Sequence, residues 1–195
     1  MQERPSSLDQ IDSVLRLIDR EVWILTAADG ERCGGLVATW VSAASIDRER
    51  PVLLVGIAPN HFTAELVHKS KAFAAHLLRP DQVELAWNFA HGSSRERDKL
   101  AGLNWSAGQI GSPILADCLA WCDCRCFARY DAGDRLFFWA DVVAAGKLGP
   151  DSPLCEQAFF RGLTGEQKQQ LIAARDADLT IQRPLHETWR RSQQW

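Results

Sequence analysis

Apolar positions along this chain repeat at two different periods. Leu8, Ile11, Val14, Leu15 and Ile18 recur at three- and four-residue spacing behind Ser7-Leu-Asp-Gln10, a capping-box sequence. Residues 8–20 therefore read as an amphipathic helix packed on the domain. Val22-Trp-Ile-Leu-Thr-Ala27 is β-rich and stops at the turn dipeptide Asp29-Gly30, after which residues 33–45 run back as the second arm of a hairpin. Gly34-Gly35 opens that arm. Glycine costs backbone entropy in a strand, so the pair implies either a bulge or a close backbone approach. Asp47-Arg-Glu-Arg-Pro51 is a charged turn, and residues 52–58 form an apolar strand expected to be buried on both faces. Asn60 is placed to cap the next helix, and residues 71–78 give a further apolar strand, completing a strand-helix-strand unit.

The second half alternates longer arms with one long irregular stretch. Pro80-Asp81 starts a helix whose buried stripe is Val83, Leu85, Ala86 and Phe89. Residues 91–100 are polar, carry Arg95, Arg97 and Lys99, and continue irregularly through Gly102, Gly108, Gly111 and Pro113. A loop of that length predicts a lid or a subunit-contacting segment, with its charges solvated. Residues 119–130 and 135–146 read as two strands joined by the hairpin Asp131-Ala-Gly-Asp134. Beyond Gly149-Pro150 and Ala158-Phe-Phe-Arg-Gly162, residues 167–177 read as a helix and the rest as a polar tail through Pro184 to Trp195. Six or so strands with this many hairpins exclude a doubly wound sheet. The expected class is mainly β (α+β), an antiparallel barrel of Greek-key type with peripheral helices.

A length of 195 residues, 46% hydrophobic and 24% charged, fits one such domain with a core at about 20–163, an N-terminal helix at 8–20 and a C-terminal helix and tail at 164–195. The formal net charge of −3 offers no basic field for nucleic acid or an anionic membrane. An apolar leader and an apolar run of about 18 residues are both missing, which predicts a cytoplasmic protein without a membrane span.

Six cysteines change the picture only slightly. Four fall in Cys118-Leu-Ala-Trp-Cys122-Asp-Cys124-Arg-Cys126, where the last three alternate and so share one face of a strand. The run lacks C-x2-C spacing and a neighbouring histidine, so no metal site is assigned. The cysteines read as small core residues in a reducing compartment, with soft-metal binding or redox sensing as the alternative.

Candidate chemistry concentrates in residues 34–45 and in the strand and turn over 52–63. Small residues there let backbone approach a ligand, hydroxyls can bond one, and the helix opening near Asn60, His61 and Thr63 presents free amides at the positive end of its dipole. A phosphate suits that position. An ordinary capped helix with nothing bound is the other reading.

The order of motifs resembles the flavin reductase-like family over roughly 140 residues. The matching pieces are Leu25-Thr26-Ala27, the small-polar segment from Leu36 to Ser45 with Pro51, the strand and turn from Leu53 to Thr63, and Phe73-Ala-Ala-His-Leu77. Asp98-Lys99-Leu100, Gly111-Ser-Pro113-Ile-Leu115, Leu119-Ala-Trp121-Cys-Asp-Cys124-Arg125 and Ala132-Gly133-Asp134 follow in the family's order. Trp40-Val41-Ser42 is similar to the flavin-reductase domains fused to diiron flavoproteins. The resemblance implies an FMN-binding split β-barrel working as a homodimer.

It further implies that Ala38, Thr39, Trp40, Val41, Ser42 and Ser45 lie along the flavin ring and ribityl chain, with Asn60, His61 and Thr63 on its phosphate. Val37 stands where the family often has threonine. Cys124 coincides with a family cysteine in a barrel strand. Arg135 replaces the family's usual histidine near the nicotinamide, which makes it a candidate substrate-binding residue for the 2′-phosphate of NADPH. The implied activity is hydride transfer from NADH or NADPH to the N5 of FMN (FAD being possible), and on to free flavin or a partner oxygenase. No catalytic side chain is needed, because the cofactor carries the reaction. A flavin-binding electron carrier without a productive nicotinamide site is the alternative. A weaker one is a split barrel with another ligand or none, Trp40 filling the ring site.

Overall fold

Strand pairing decides how this chain of short arms closes on itself. The computed structural model describes residues 7–149 and 152–193. It runs α1 (Leu8–Leu15), β1 (Trp23–Asp29), β2 (Arg32–Ala38), β3 (Val41–Ala43), β4 (Val52–Ile57), α2 (Phe62–Ser70), β5 (Ala72–Leu77) and α3 (Val83–Ala90). There follow β6 (Trp105–Ala107), β7 (Pro113–Leu115), β8 (Ala120–Asp131), β9 (Leu136–Lys147), α4 (Glu156–Gly162) and α5 (Gly165–Ser192). Seven strands form one sheet in the order β2-β1-β5-β8-β9-β4-β3, every neighbouring pair antiparallel, and β6 pairs with β7 apart from it. Strands β2 and β3 sit at opposite edges although only Thr39 and Trp40 separate them in the chain. Three Cα steps span at most about 11 Å, so the sheet must curl until its edges meet. Those edges share no ladder among the described residues, which leaves the barrel split. The arm expected over 33–45 is thus two strands: β2 pairs with β1, and β3 crosses to pair with β4.

The curled sheet separates two cores. Inside it lie Leu25, Leu36, Val55, Ile57, Leu66, Val67, Phe73 and Phe138, with α2 plugging the barrel. Against its outer face Val22, Ile24, Leu78, Trp87, Phe89, Leu154 and Phe159 pack with α3 and α4. Burial of such side chains contributes about 1.5–3 kcal/mol each, so the two cores supply the main driving force for closure. Strand β1 is buried on both faces, but β4 is not: Leu53, Val55 and Ile57 point inward while Leu54 and Gly56 stay partly open. The expectation of burial on both faces for 52–58 fails because β4's outer side borders two clefts, Gly56 lining one and Leu54 the other.

Gly34 and Gly35 mark a close approach, and their partner is the protein itself. A Cβ on Gly35 would stand 2.7 Å from the Leu25 carbonyl oxygen and 2.8 Å from the Phe89 ring, and one on Gly34 would stand 2.6 Å from Ser94 Cβ. The register through both residues is unbroken, so no bulge forms. Cys122, Cys124 and Cys126 do share the inner face of β8, with Cys124 fully buried. Burial pushes the Cys126 thiol up to about 12 and Cys118 up to about 11, while Cys124 is raised further. All six cysteines are unpaired, and no cluster of three or more metal-ligating side chains occurs among the described residues.

The long stretch after α3 is tied down. Arg95 pairs with Glu65 at 2.6 Å, Arg97 Nη1 donates to Asn88 Oδ1 at 2.9 Å, and the buried Lys99 Nζ donates to the Phe89 carbonyl at 2.8 Å. Thr26 Oγ1 donates to the Pro113 carbonyl at 2.5 Å, and the buried His76 joins Ile24 to Leu115. The expectation is a lid or a subunit-contacting segment with solvated charges; these bonds tie the stretch to the wall and bury Lys99, while Arg95 stays exposed.

Three helix boundaries also differ from the sequence reading. α1 ends at Leu15 with its capping box formed, and none of its residues is buried, so its apolar stripe faces outward. The N-cap of α2 is His61, not Asn60, and it makes no side-chain capping bond. α5 continues past residue 177 and through Pro184 to Ser192. Its start is secured by the Thr164–Gln167 capping box, and beyond the proline it packs on the β8–β9 turn, where a Cβ on Gly133 would meet the Leu185 carbonyl at 2.6 Å. Pro150 and Trp195 lie outside the described residues.

Candidate functional site

Two adjoining clefts open where the sheet's edges meet. The first, of about 200 Å³, is lined by residues 36–40 and 56–58, by His61 and Arg135, and by Arg175, Asp178, Leu179 and Gln182 of α5. The second, of about 370 Å³, is lined by Arg20, Thr39, Trp40, Val41, Ser42, Leu54 and Phe137. Thr39 and Trp40 border both, so the crossover between β2 and β3 partitions them. This crossover belongs to neither strand, although the Trp40 carbonyl accepts the Gly56 amide of β4 at 2.8 Å.

Trp40 lies flat over the gap that Gly56 leaves. A Cβ on Gly56 would come within 3.1 Å of the Trp40 ring, and Trp40 stacks on Phe137 with centroids 6.1 Å apart and planes at 14°. The Arg135 guanidinium stands 4.8 Å above the Trp40 ring, a cation–π contact, while Arg135 Nη1 donates to Gln182 Oε1 at 2.6 Å. Arg135 is thereby aimed into the first cleft and held there by α5.

The start of α2 carries donors toward the same cleft, and a carboxylate answers them. Asn60 Nδ2 donates to Asp178 Oδ1 at 2.7 Å, and His61 Nε2 lies 3.0 Å from Asp178 Oδ2. Gln182 Nε2 donates to Asn60 Oδ1 at 3.2 Å, and Gln182 is 5% exposed although it is polar. The donor set therefore accepts an anion, with the positive end of the α2 dipole behind it.

Of the residues singled out in sequence, Ala38, Thr39, Trp40, His61 and Arg135 gather at the first cleft, and Val41 and Ser42 join Thr39 and Trp40 at the second. Asn60 reaches the first through Asp178. Two do not join them. Thr63 is 2% exposed under the first turn of α2 and lines neither cleft. Ser45 accepts the Asp47 amide at 3.0 Å in the charged turn. Asp178 and Gln182 were missed because the helix reading stopped at residue 177, and Arg175, inside that helix, carried no local signal of a site. Gly56, the one small residue in an apolar run, was the available cue to a flat surface on β4.

Comparison with known proteins agrees with this geometry. The model of the flavin reductase like domain matches residues 15–157. A high molecular weight rubredoxin from Moorella thermoacetica is 30% identical over 82% of this chain and 71% of its own length. The reductase subunit of a flavin-dependent monooxygenase from Rhodococcus jostii is 27% identical over 76% of this chain and 75% of its own. A diflavin flavoprotein from Synechocystis is 28% identical over 70% of this chain, which spans 24% of that longer protein. Among solved structures, the NADH:FAD oxidoreductase of Streptomyces globisporus superposes with a TM-score of 0.68 at 20% identity, covering 80% of this chain and 92% of that one. With the family model matching residues 15–157, most of its length, the chain belongs to the flavin reductase-like family.

Proposed function

We propose that this protein is an NAD(P)H:flavin oxidoreductase that binds FMN in the joined clefts, FAD being the alternative flavin, and that it delivers electrons to free flavin or a partner oxygenase. The observation that carries the reading is the convergence of the Ala38–Thr39–Trp40 crossover, the start of α2 and Arg135 on one site. The backbone of 38–40 would bond the ring edge, and Asn60 and His61, which already hold a carboxylate, offer donors suited to a phosphate. When bound, the flavin supplies the hydride chemistry. The chain's own side chains bind, orient and exclude water, Trp40 and Phe137 giving an apolar floor and Arg135 a cation for the nucleotide. The relatives support the class of reaction: one is a monooxygenase reductase subunit and a structural neighbour is an NADH:FAD oxidoreductase.

The protein works as one domain with its core at about 20–163, and as a homodimer. The exposed side chains Leu8, Leu15, Leu17, Trp40, Ile46 and Phe127 support the dimer, since that much apolar surface favours a partner. Six unpaired thiols suit a reducing, cytoplasmic setting. Among the described residues no helix is long and apolar enough to cross a membrane. A second reading, an electron carrier without a nicotinamide site, draws on the engagement of Arg135 by Gln182 and Trp40.

One experiment separates the two. FMN is added to the purified protein, and NADH and then NADPH follow under anaerobic conditions. Bleaching of the bound-flavin absorbance is expected. With Arg135→Ala the NADPH rate should fall about tenfold more than the NADH rate, a loss of roughly 1.4 kcal/mol of selective binding. A bound flavin that neither nucleotide reduces would refute the reductase in favour of the carrier.

A further inference from the structure

Asp178 sits where the proposed reading puts the flavin phosphate. Both of its carboxylate oxygens are held by the two residues at the start of α2, at 2.7 Å from Asn60 Nδ2 and 3.0 Å from His61 Nε2. A carboxylate and a phosphate ask for the same donors, and like charge forbids both at one place. Asp178 roofs the smaller of the joined clefts, about 200 Å³, the end that borders the start of α2 at His61. Entry of a phosphorylated flavin therefore requires the roof to move.

The roof is built to be movable. Of the 28 residues of α5 only Gln182 is buried. Over the cleft the helix is held by polar contacts: the two to Asp178, Gln182 with Asn60 at 3.2 Å, and Arg135 with Gln182 at 2.6 Å. Its next anchor is the turn at Gly133. Arg175, one turn before Asp178, lines the same cleft and bonds the adjacent Asp176, so a cation stands ready beside the carboxylate that must leave.

We propose that Asp178 is a built-in competitor of the flavin phosphate. It sets the preference of the cleft between FMN and unphosphorylated flavin, and α5 swings off the start of α2 when the phosphate enters. This rests on the flavin reading above. The same carboxylate keeps Asn60 and His61 satisfied while no flavin is bound. Riboflavin, which carries no phosphate, has nothing to gain from its departure.

The test is a titration of the full-length protein and of Asp178→Ala with FMN and with riboflavin, followed by quenching of flavin fluorescence. FMN affinity is expected to rise at least tenfold in the variant, while riboflavin affinity moves less than twofold. Asp178→Asn, which keeps the shape and removes the charge, should reproduce the change and serves where the alanine variant folds poorly. A readout without flavin turnover is amide hydrogen exchange along α5. FMN should speed exchange over residues 175–185 of the wild type, and flavin-free Asp178→Ala should already exchange fast there. Unchanged or weakened FMN binding would overturn the proposal, as would an equal gain for both flavins, which would assign the effect to space. If the wild type and the variants, all folded, bind neither flavin, the flavin reading fails and this proposal falls with it. If both flavins bind and their ratio stays fixed, only the competitor role is refuted.

Discussion

Protonation of His76 is expected to unlock the wall of the barrel. His76 is fully buried, with Nδ1 3.1 Å from the Ile24 carbonyl oxygen and Nε2 3.1 Å from the Leu115 amide, so it is held as the neutral ring protonated at Nδ1. A second proton at Nε2 would face the Leu115 N–H and bury a charge. Desolvation accordingly lowers its pKa from 6.5 to about 4. The sign follows from linkage: the unfolded chain takes the proton first, so the stabilisation is complete above pH 6.5, declines as pH falls below that value, and is gone near pH 4. Integrated between the two pKa values, the loss is about 2 kcal/mol by pH 5 and about 3 kcal/mol by pH 4. Urea unfolding at half-unit steps from pH 7.5 to 4.5 measures it. Carboxylates also contribute to acid lability, so the comparison is with His76→Gln, whose amide can donate to Ile24 and accept from Leu115 but does not titrate. Wild type should lose about 2 kcal/mol more than the variant between pH 7.5 and 5. Identical slopes for the two proteins would refute the neutral, buried assignment.

Two further outcomes test the packing. Gly35→Ala places a methyl 2.7 Å from the Leu25 carbonyl and 2.8 Å from the Phe89 ring, so it should cost about 1–3 kcal/mol and lower the melting temperature. Gly165→Ala, which meets nothing within 4 Å, is the control and should leave the melting temperature level or raise it. Alkylation of the native protein with iodoacetamide at pH 8, read by peptide mass spectrometry, should spare Cys118 and Cys124, whose thiols are buried and shifted upward. Both should react once the chain is unfolded in urea, and labelling of Cys124 in the folded protein would contradict its placement in the core.

Local information fixed the elements. The β-rich runs of β1, β8 and β9, the turns at Asp29-Gly30 and Gly133, and the capping box at Ser7 each depend on neighbours within a few residues, and they form where the sequence places them. Ala38, Thr39, Trp40, His61 and Arg135 became candidates through the resemblance in motif order, and the fold gathers them at one cleft. What the pattern could not show is which surface lies across from which. Gly34-Gly35 looks the same in sequence whether a ligand or Phe89 comes close, and only the docking of α3 on β2 assigns it to Phe89. β4 is apolar along its length, yet Leu54 and Gly56 on one face border the clefts and stay partly open. The stripe on α1 has helical period, yet none of its residues is buried. Asp178 and Gln182 were invisible beyond an apparent helix end at residue 177, since their meaning comes from Asn60 and Arg135, more than a hundred and about fifty residues away respectively. Period and turn chemistry act over a few residues, whereas a site lined from both ends of the chain exists only once the curled sheet brings β2, β4, α2 and α5 together.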